Sequence, residues 1–171
     1  MPKLARRIRK VMIHARNKGL TLPQRLCGKS VAIVGSRDYS NLDSVAITIQ
    51  ELCFMATEFI SGGANGVDST AEEVADVLGI PIVVYEPDWD QYGKGAGFVR
   101  NKDIVKAAEV VVAFHYNDSK GTRNSIDLAK KYGKLLVVFK WSKPVTLPIV
   151  FDPTKGNENG TEEASTQGKT G

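Results

Sequence analysis

Three stretches of the chain gather the residue types that hold phosphate: Gly35-Ser36-Arg37-Asp38, Ser61 through Asp68 (Ser-Gly-Gly-Ala-Asn-Gly-Val-Asp), and Asn117 through Asn124 (Asn-Asp-Ser-Lys-Gly-Thr-Arg-Asn). Each follows a short β-branched run. Glycine lets a backbone approach an anion closely, and the N–H groups opening a helix, aided by its dipole, favour negative charge. One such turn answers as well to tight-turn sterics. Three at one sheet edge point to a phosphate-bearing ligand. Other phosphate and metal chemistries fail on spelling. No GxGxxG follows the first run, and no GxxxxGK[ST] occurs. Two cysteines, Cys27 and Cys53, with two distant histidines, His14 and His115, lack zinc-site spacing, so no metal and no cofactor is expected.

The elements that must position these turns alternate along the body. Strand-like runs are Val31–Val34, Glu58–Ile60, Ile82–Tyr85, Val110–Phe114 and Leu135–Phe139. Between them, Leu42, Val45, Ala46, Ile49, Leu52 and Cys53 form one helical stripe, and Val67, Ala71, Val74, Ala75 and Leu78 a second. Further helices are predicted at about 98–108 and 123–132. Ser40 with Asp43, and Asn65 with Asp68, fit N-terminal capping, while Gly79 and Gly133 fit C-terminal caps. Strands apolar throughout are buried on both faces. The pattern predicts an α/β fold, a doubly wound parallel sheet of about five strands whose ligands bind at the strands' carboxyl ends.

The chain has 171 residues, 42% hydrophobic and 25% charged, which suits one globular domain of about 29–152. No apolar run approaches the roughly 20 residues of a membrane helix, and no secretory leader is evident; a cytoplasmic, reduced setting without membrane contact is expected. The net charge of +4 is uneven. Residues 1–29 hold nine bases and no acid; the remainder holds 14 bases against 19 acids. Residues 1–28 read as a basic helical arm, with Leu4, Ile8, Val11 and Ala15 on one strip, and a nucleic-acid partner would rest on that arm. Residues 153–171 lack aromatic and large aliphatic side chains and read as a disordered tail.

Taken together, Val31–Arg37, Ser61–Asp68, Pro87–Asn101 and Gly121-Thr122 resemble the SLOG superfamily, the Rossmann-like group uniting DprA/Smf DNA-processing proteins with LOG cytokinin-activating enzymes. The element Trp89–Asn101 looks most like the small stand-alone YspA-like branch. The resemblance spans about residues 29–140. It implies a Rossmann-like fold and a nucleotide-derived ligand, such as ADP-ribose, an NAD derivative or a nucleoside monophosphate, bound by a sensor or sequestering protein that forms a homo-oligomer. Gly62, Gly63, Ala64, Gly121 and Thr122 match its phosphate-cradling turns. Gly35, Ser36 and Arg37 would bring backbone, hydroxyl and guanidinium to the ligand, although Arg37 also suits a surface pair with Asp38. Asp68 matches the Gly-x-Asp aspartate and could accept from a ribose, from the glycine turn, or serve as a cap. Trp89 suits base stacking or loop anchoring; Arg100 and Asn101 match the superfamily's arginine position. His115 ends the fourth run, where a lone histidine is more often structural. Two alternatives stand beside small-molecule binding: LOG-like cleavage of an N-glycosidic bond, and DprA-like nucleic-acid binding through the arm. LOG enzymes carry Gly-Gly-x-Gly-Thr-x-x-Glu, and here the Glu position is Ser125, with Asp127 about 200° around the helix.

Overall fold

A computed structural model describes residues 22–140 and 148–154. Most of the basic arm and most of the tail lie outside the described residues. In chain order the elements are helix α1 (Leu22–Leu26), strand β1 (Ser30–Gly35), α2 (Leu42–Cys53), β2 (Glu58–Ser61), α3 (Val67–Leu78), β3 (Ile82–Val84), the short α4 (Trp89–Tyr92) with a 3-10 turn (Gly93–Gly95), α5 (Ala96–Ala107), β4 (Val110–His115), α6 (Lys120–Lys131), β5 (Leu135–Lys140) and β6 (Ile149–Phe151). The sheet order is β3-β2-β1-β4-β5-β6, parallel except for β6, which runs antiparallel to β5. This is a Rossmann-like α/β fold. It has one strand beyond the five expected, because Ile149–Phe151 is too short to stand out by pattern alone.

Alternate residues of the strands serve two cores, as the two-residue period requires. Val31 and Ile33 of β1 pack with Val45, Ile49, Val67 and Val74 of α2 and α3. Ala32 and Val34 face the other way, onto Ile104, Val105, Ile126 and Ala129 of α5 and α6. The central strands β1 and β4 are buried almost end to end, which explains their unbroken apolar spelling. Leu22 and Leu26 of α1 are buried in the α2/α3 core, and Arg25 pairs with Asp152. Leu22–Leu26, within the span read as an arm, thus packs on the body. No described helix is long and apolar enough to cross a membrane.

Both predicted side-chain N-caps are corrected. On α2 the cap is Asn41, whose Oδ1 accepts from Ser44 N–H at 3.0 Å, one residue after Ser40. On α3 it is Gly66, at φ +84° and without a side-chain bond, because Asp68 is turned into the Gly62–Ala64 loop instead. Helix α6 begins three residues before expected, Ser119 capping it by accepting from Thr122 N–H, so Gly121 and Thr122 lie in its first turn. Gly79 closes α3 in the left-handed conformation as its sequence position predicts.

The two helical layers differ in charge. Helices α2 and α3 carry Asp43, Glu51, Asp68, Glu72, Glu73 and Asp76 and no base. Helices α5 and α6 carry Arg100, Lys102, Lys106, Lys120, Arg123, Lys130 and Lys131 against Asp103 and Asp127. The acidic balance of the body is thus an average over one acidic and one basic face, and it does not confine nucleic-acid contact to the arm.

Candidate phosphate-binding cleft

The strand order reverses between β1 and β4, and a cleft of about 380 Å³ opens there at the carboxyl ends of the strands. Its wall includes Gly35, Ser36, Arg37, Ala64 and Asp68 from the first two turns. Trp89, Arg100, Asn101, Gly121 and Thr122 complete the predicted residues that it brings together. Gly62 and Gly63 are absent from the wall.

Several of these side chains hold the cleft's shape. The Ser36 hydroxyl donates to Tyr116 C=O at 3.0 Å and accepts from Tyr116 N–H at 2.9 Å, tying the loops after β1 and β4 together. It also lies 3.4 Å from Thr122 Oγ1, which donates to Ser119 Oγ at 3.1 Å. Asn101 Nδ2 reaches Gly121 C=O and Asn124 Oδ1, joining α5 to α6. Gly35 has no room for a side chain: a Cβ would lie 2.5 Å from Val67 Cβ. Its glycine therefore allows the start of α3 to press on the end of β1.

Asp68 and Arg100 meet over Gly62. The Asp68 carboxylate is 6% exposed and accepts from the Gly62 and Ala64 N–H groups. Burial lifts its pKa to about 6 against the opposing pull of Arg100 and those N–H groups, with Glu72 adding a small push upward. Arg100 Nη1 donates to Gly62 C=O, its Nε is buried without a partner, and burial lowers its pKa. A Cβ on Gly62 would collide with both the Arg100 guanidinium and Asp68 Oδ2. Of the roles open to Asp68 in sequence, the glycine turn is the one the geometry supplies.

The exposed residues of the wall include cations and aromatic rings beside the acid Asp38 and Asn117. Arg37 and Lys94 are exposed on the rim, beside Arg100. Trp89 is 55% and Phe98 50% exposed, both on the same wall. Sequence reasoning missed Lys94 and Phe98, although Lys94 and Phe98 stand within the Trp89–Asn101 element and follow Trp89 at short range. Ser125 also lines the cleft, its hydroxyl donating to Gly121 C=O at 3.3 Å, whereas the exposed Asp127 does not. His115 stands outside the cleft wall; burial, then Lys140, lowers its pKa, and Asp118 opposes them.

No family model matches the chain. Over 86 residues it is 34% identical to the Gene 61 protein of Mycobacterium phage D29, covering 47% of this chain and 69% of that protein. DprA of Streptococcus pneumoniae shares the fold at a TM-score of 0.56 and 21% identity, over 67% of this chain and 51% of DprA, so the chain spans about half of that protein's length. DprA of Helicobacter pylori, a protein with a described single-stranded DNA binding mode, aligns at a TM-score of 0.52 and 25% identity over 73% of this chain and 69% of its own. The likeness to DprA of Helicobacter pylori supports the SLOG superfamily. At the level of sequence, the chain belongs to the same family as the Gene 61 protein of Mycobacterium phage D29.

Proposed function

We propose that the cleft binds single-stranded DNA, taking one nucleotide unit into the strand-end cavity. The observation that carries this reading is the interleaving of cations and aromatic faces around one opening: Arg37, Lys94 and Arg100 with Trp89 and Phe98. Single-stranded nucleic acid is held by that combination, the cations following the phosphates and the rings stacking on bases without sequence preference. The fold shared with DprA of Helicobacter pylori supports the same reading. The Trp89–Asn101 element supports a finer placement in the YspA-like branch.

The test is fluorescence anisotropy with labelled oligo(dT) at low salt. Trp89→Ala is expected to weaken binding about 10-fold or more, since stacking contributes about 1–3 kcal/mol per base. Its melting temperature should hold, because the side chain is more than half exposed. Gly121→Val is the complementary probe. Nothing lies within 4 Å of a Cβ there, so the fold should persist while the cleft narrows and affinity falls. Absence of oligo(dT) binding by the unmodified protein at about 50 mM salt would refute the proposal.

A nucleotide-derived small molecule is the second reading, favoured by the cavity volume, which lies near the small end of ligand pockets. ADP-ribose or AMP at 100 times its Kd would then stabilise the fold by about 2.7 kcal/mol. Cleavage of the glycosidic bond ranks below both. Ser125 occupies the carboxylate position, and an oxocarbenium-like transition state without carboxylate support gains little. Incubation with AMP is expected to release no detectable adenine by chromatography; turnover near about 1 s⁻¹ would restore the enzymatic reading.

A further inference from the structure

We propose that the exposed face of α5 and α6 is a second contact surface for the same DNA strand, carrying its phosphates away from the cleft. The inference rests on the proposed DNA site and extends it. The two helices that supply Arg100, Asn101, Gly121 and Thr122 to the cleft also carry Lys102, Lys106, Lys130 and Lys131, all exposed. The cleft wall ends at Ile104 on α5 and Ser125 on α6, so the helix ends at Ala107 and Lys131 stand roughly 5 Å and 9 Å beyond it at about 1.5 Å per residue. At that end Lys134 Nζ donates to Lys106 C=O at 3.1 Å, and the Lys106 ammonium lies 5.8 Å over the Tyr132 ring. These contacts bring the closing turns of α5 and α6 together as one basic patch.

Lysines in a last helical turn offset the helix dipole, which accounts for Lys106, Lys130 and Lys131 taken singly. It does not account for Lys102 in mid-helix, nor for Lys120 at the start of α6, where a cation opposes the dipole; Arg123 is paired with Asp118 at 2.7 Å. Asp103 and Asp127 are the acids on these helices, and nearby Glu109 is already paired with Lys29 at 3.0 Å. The opposite layer, α2 and α3, carries acids alone and would repel the strand. A polyanion entering the cleft is thus drawn along one face of the molecule. The second-copy alternative, in which this basic face meets another molecule's acidic α2/α3 face, makes a different prediction.

The experiment compares the full-length protein with a Lys102→Gln/Lys106→Gln/Lys130→Gln/Lys131→Gln variant on labelled dT6 and dT30 across a salt series. Losing four phosphate contacts should make the slope of log K against log salt shallower by about 3 on dT30, at about 0.7 per contact on single strands. On dT6, too short to fill the cleft and the whole face together, the slope should change by less than on dT30. A variant retaining Lys106, and with it the contact to Tyr132, should lose about 2 from the slope. An unchanged dT30 slope with dT6 still bound overturns this proposal and leaves the cleft reading standing. Binding of neither oligomer by the unmodified protein refutes both. A shift in sedimentation with no change in slope would assign the face to self-association instead, and the proposal would fail.

Discussion

Arg100→Ala is expected to destabilise the protein by about 2–3 kcal/mol at pH 7.5 and by much less near pH 4. The substitution removes the cation beside a buried carboxylate and the bond to Gly62 C=O, and a buried charge left without its partner is costly. The pH dependence follows from Asp68. Its folded pKa of about 6 stands above the ordinary aspartate value of 3.8, so the folded state binds its proton more tightly than the unfolded chain does. The stability contributed by that proton is complete below about pH 3.8 and is lost as pH rises through about 6, amounting to roughly 3 kcal/mol at about 1.4 kcal/mol per unit. Without Arg100 the folded pKa rises further, and the loss toward neutral pH becomes larger. Asp68→Asn/Arg100→Ala has no carboxylate to titrate and should recover part of the stability at pH 7.5. Denaturant unfolding of the three proteins at pH 4.5, 6 and 7.5 checks this, read as differences so that other carboxylates cancel. Equal destabilisation by Arg100→Ala at all three values would refute the electrostatic account. DNA affinity adds a second readout, because phosphodiesters do not titrate in this range. Arg100→Ala should weaken oligo(dT) binding about 10–100-fold, a charge-assisted hydrogen bond contributing about 1.5–3 kcal/mol.

The second large effect is expected at Gly66. Alanine there must adopt φ +84° with ψ −120°, outside the left-handed helical region, which costs about 1–3 kcal/mol for an L residue, and its Cβ would collide with the Arg37 carbonyl. The sum is expected to reach about 3 kcal/mol and to lower the melting temperature by about 10 °C in a chain of this size. The damage should extend to binding, since the displaced segment, Ser36 to Asp38, forms part of the cleft wall. Gly79→Ala is the control. That glycine, at φ +66° and ψ +28°, lies in the left-handed helical region with open space around its Cβ, so it should incur only a backbone cost of about 1 kcal/mol and leave DNA affinity unchanged. Matching losses in the two variants would show that the Arg37 contact is unimportant.

Other features were set by composition and order alone. The five parallel strands, the four long helices and the edge at which the cleft opens are legible in the sequence because runs apolar on both faces and helical stripes are local signals. Gly35, Ser36 and Arg37 came to the cleft for the same reason: they directly follow a central strand.

What needed the tertiary structure was the division of labour among residues that spelling treats alike. Gly62 and Gly63 were read with the phosphate turns, yet they lie off the cleft wall, because Asp68 and Arg100 close over Gly62. Ser36, Asn101 and Thr122 proved to be committed to bonds across the mouth of the sheet, between residues as far apart in sequence as 36 and 122. Strand β6 was invisible because three residues carry no period and its partner is supplied by the fold. Charge shows the same limit most clearly. The sequence determined the number of acids and bases in the body. Only the winding of helices onto opposite faces of one sheet could sort them, since right-handed crossovers on either side of β1 send α2 and α3 to one layer and α5 and α6 to the other.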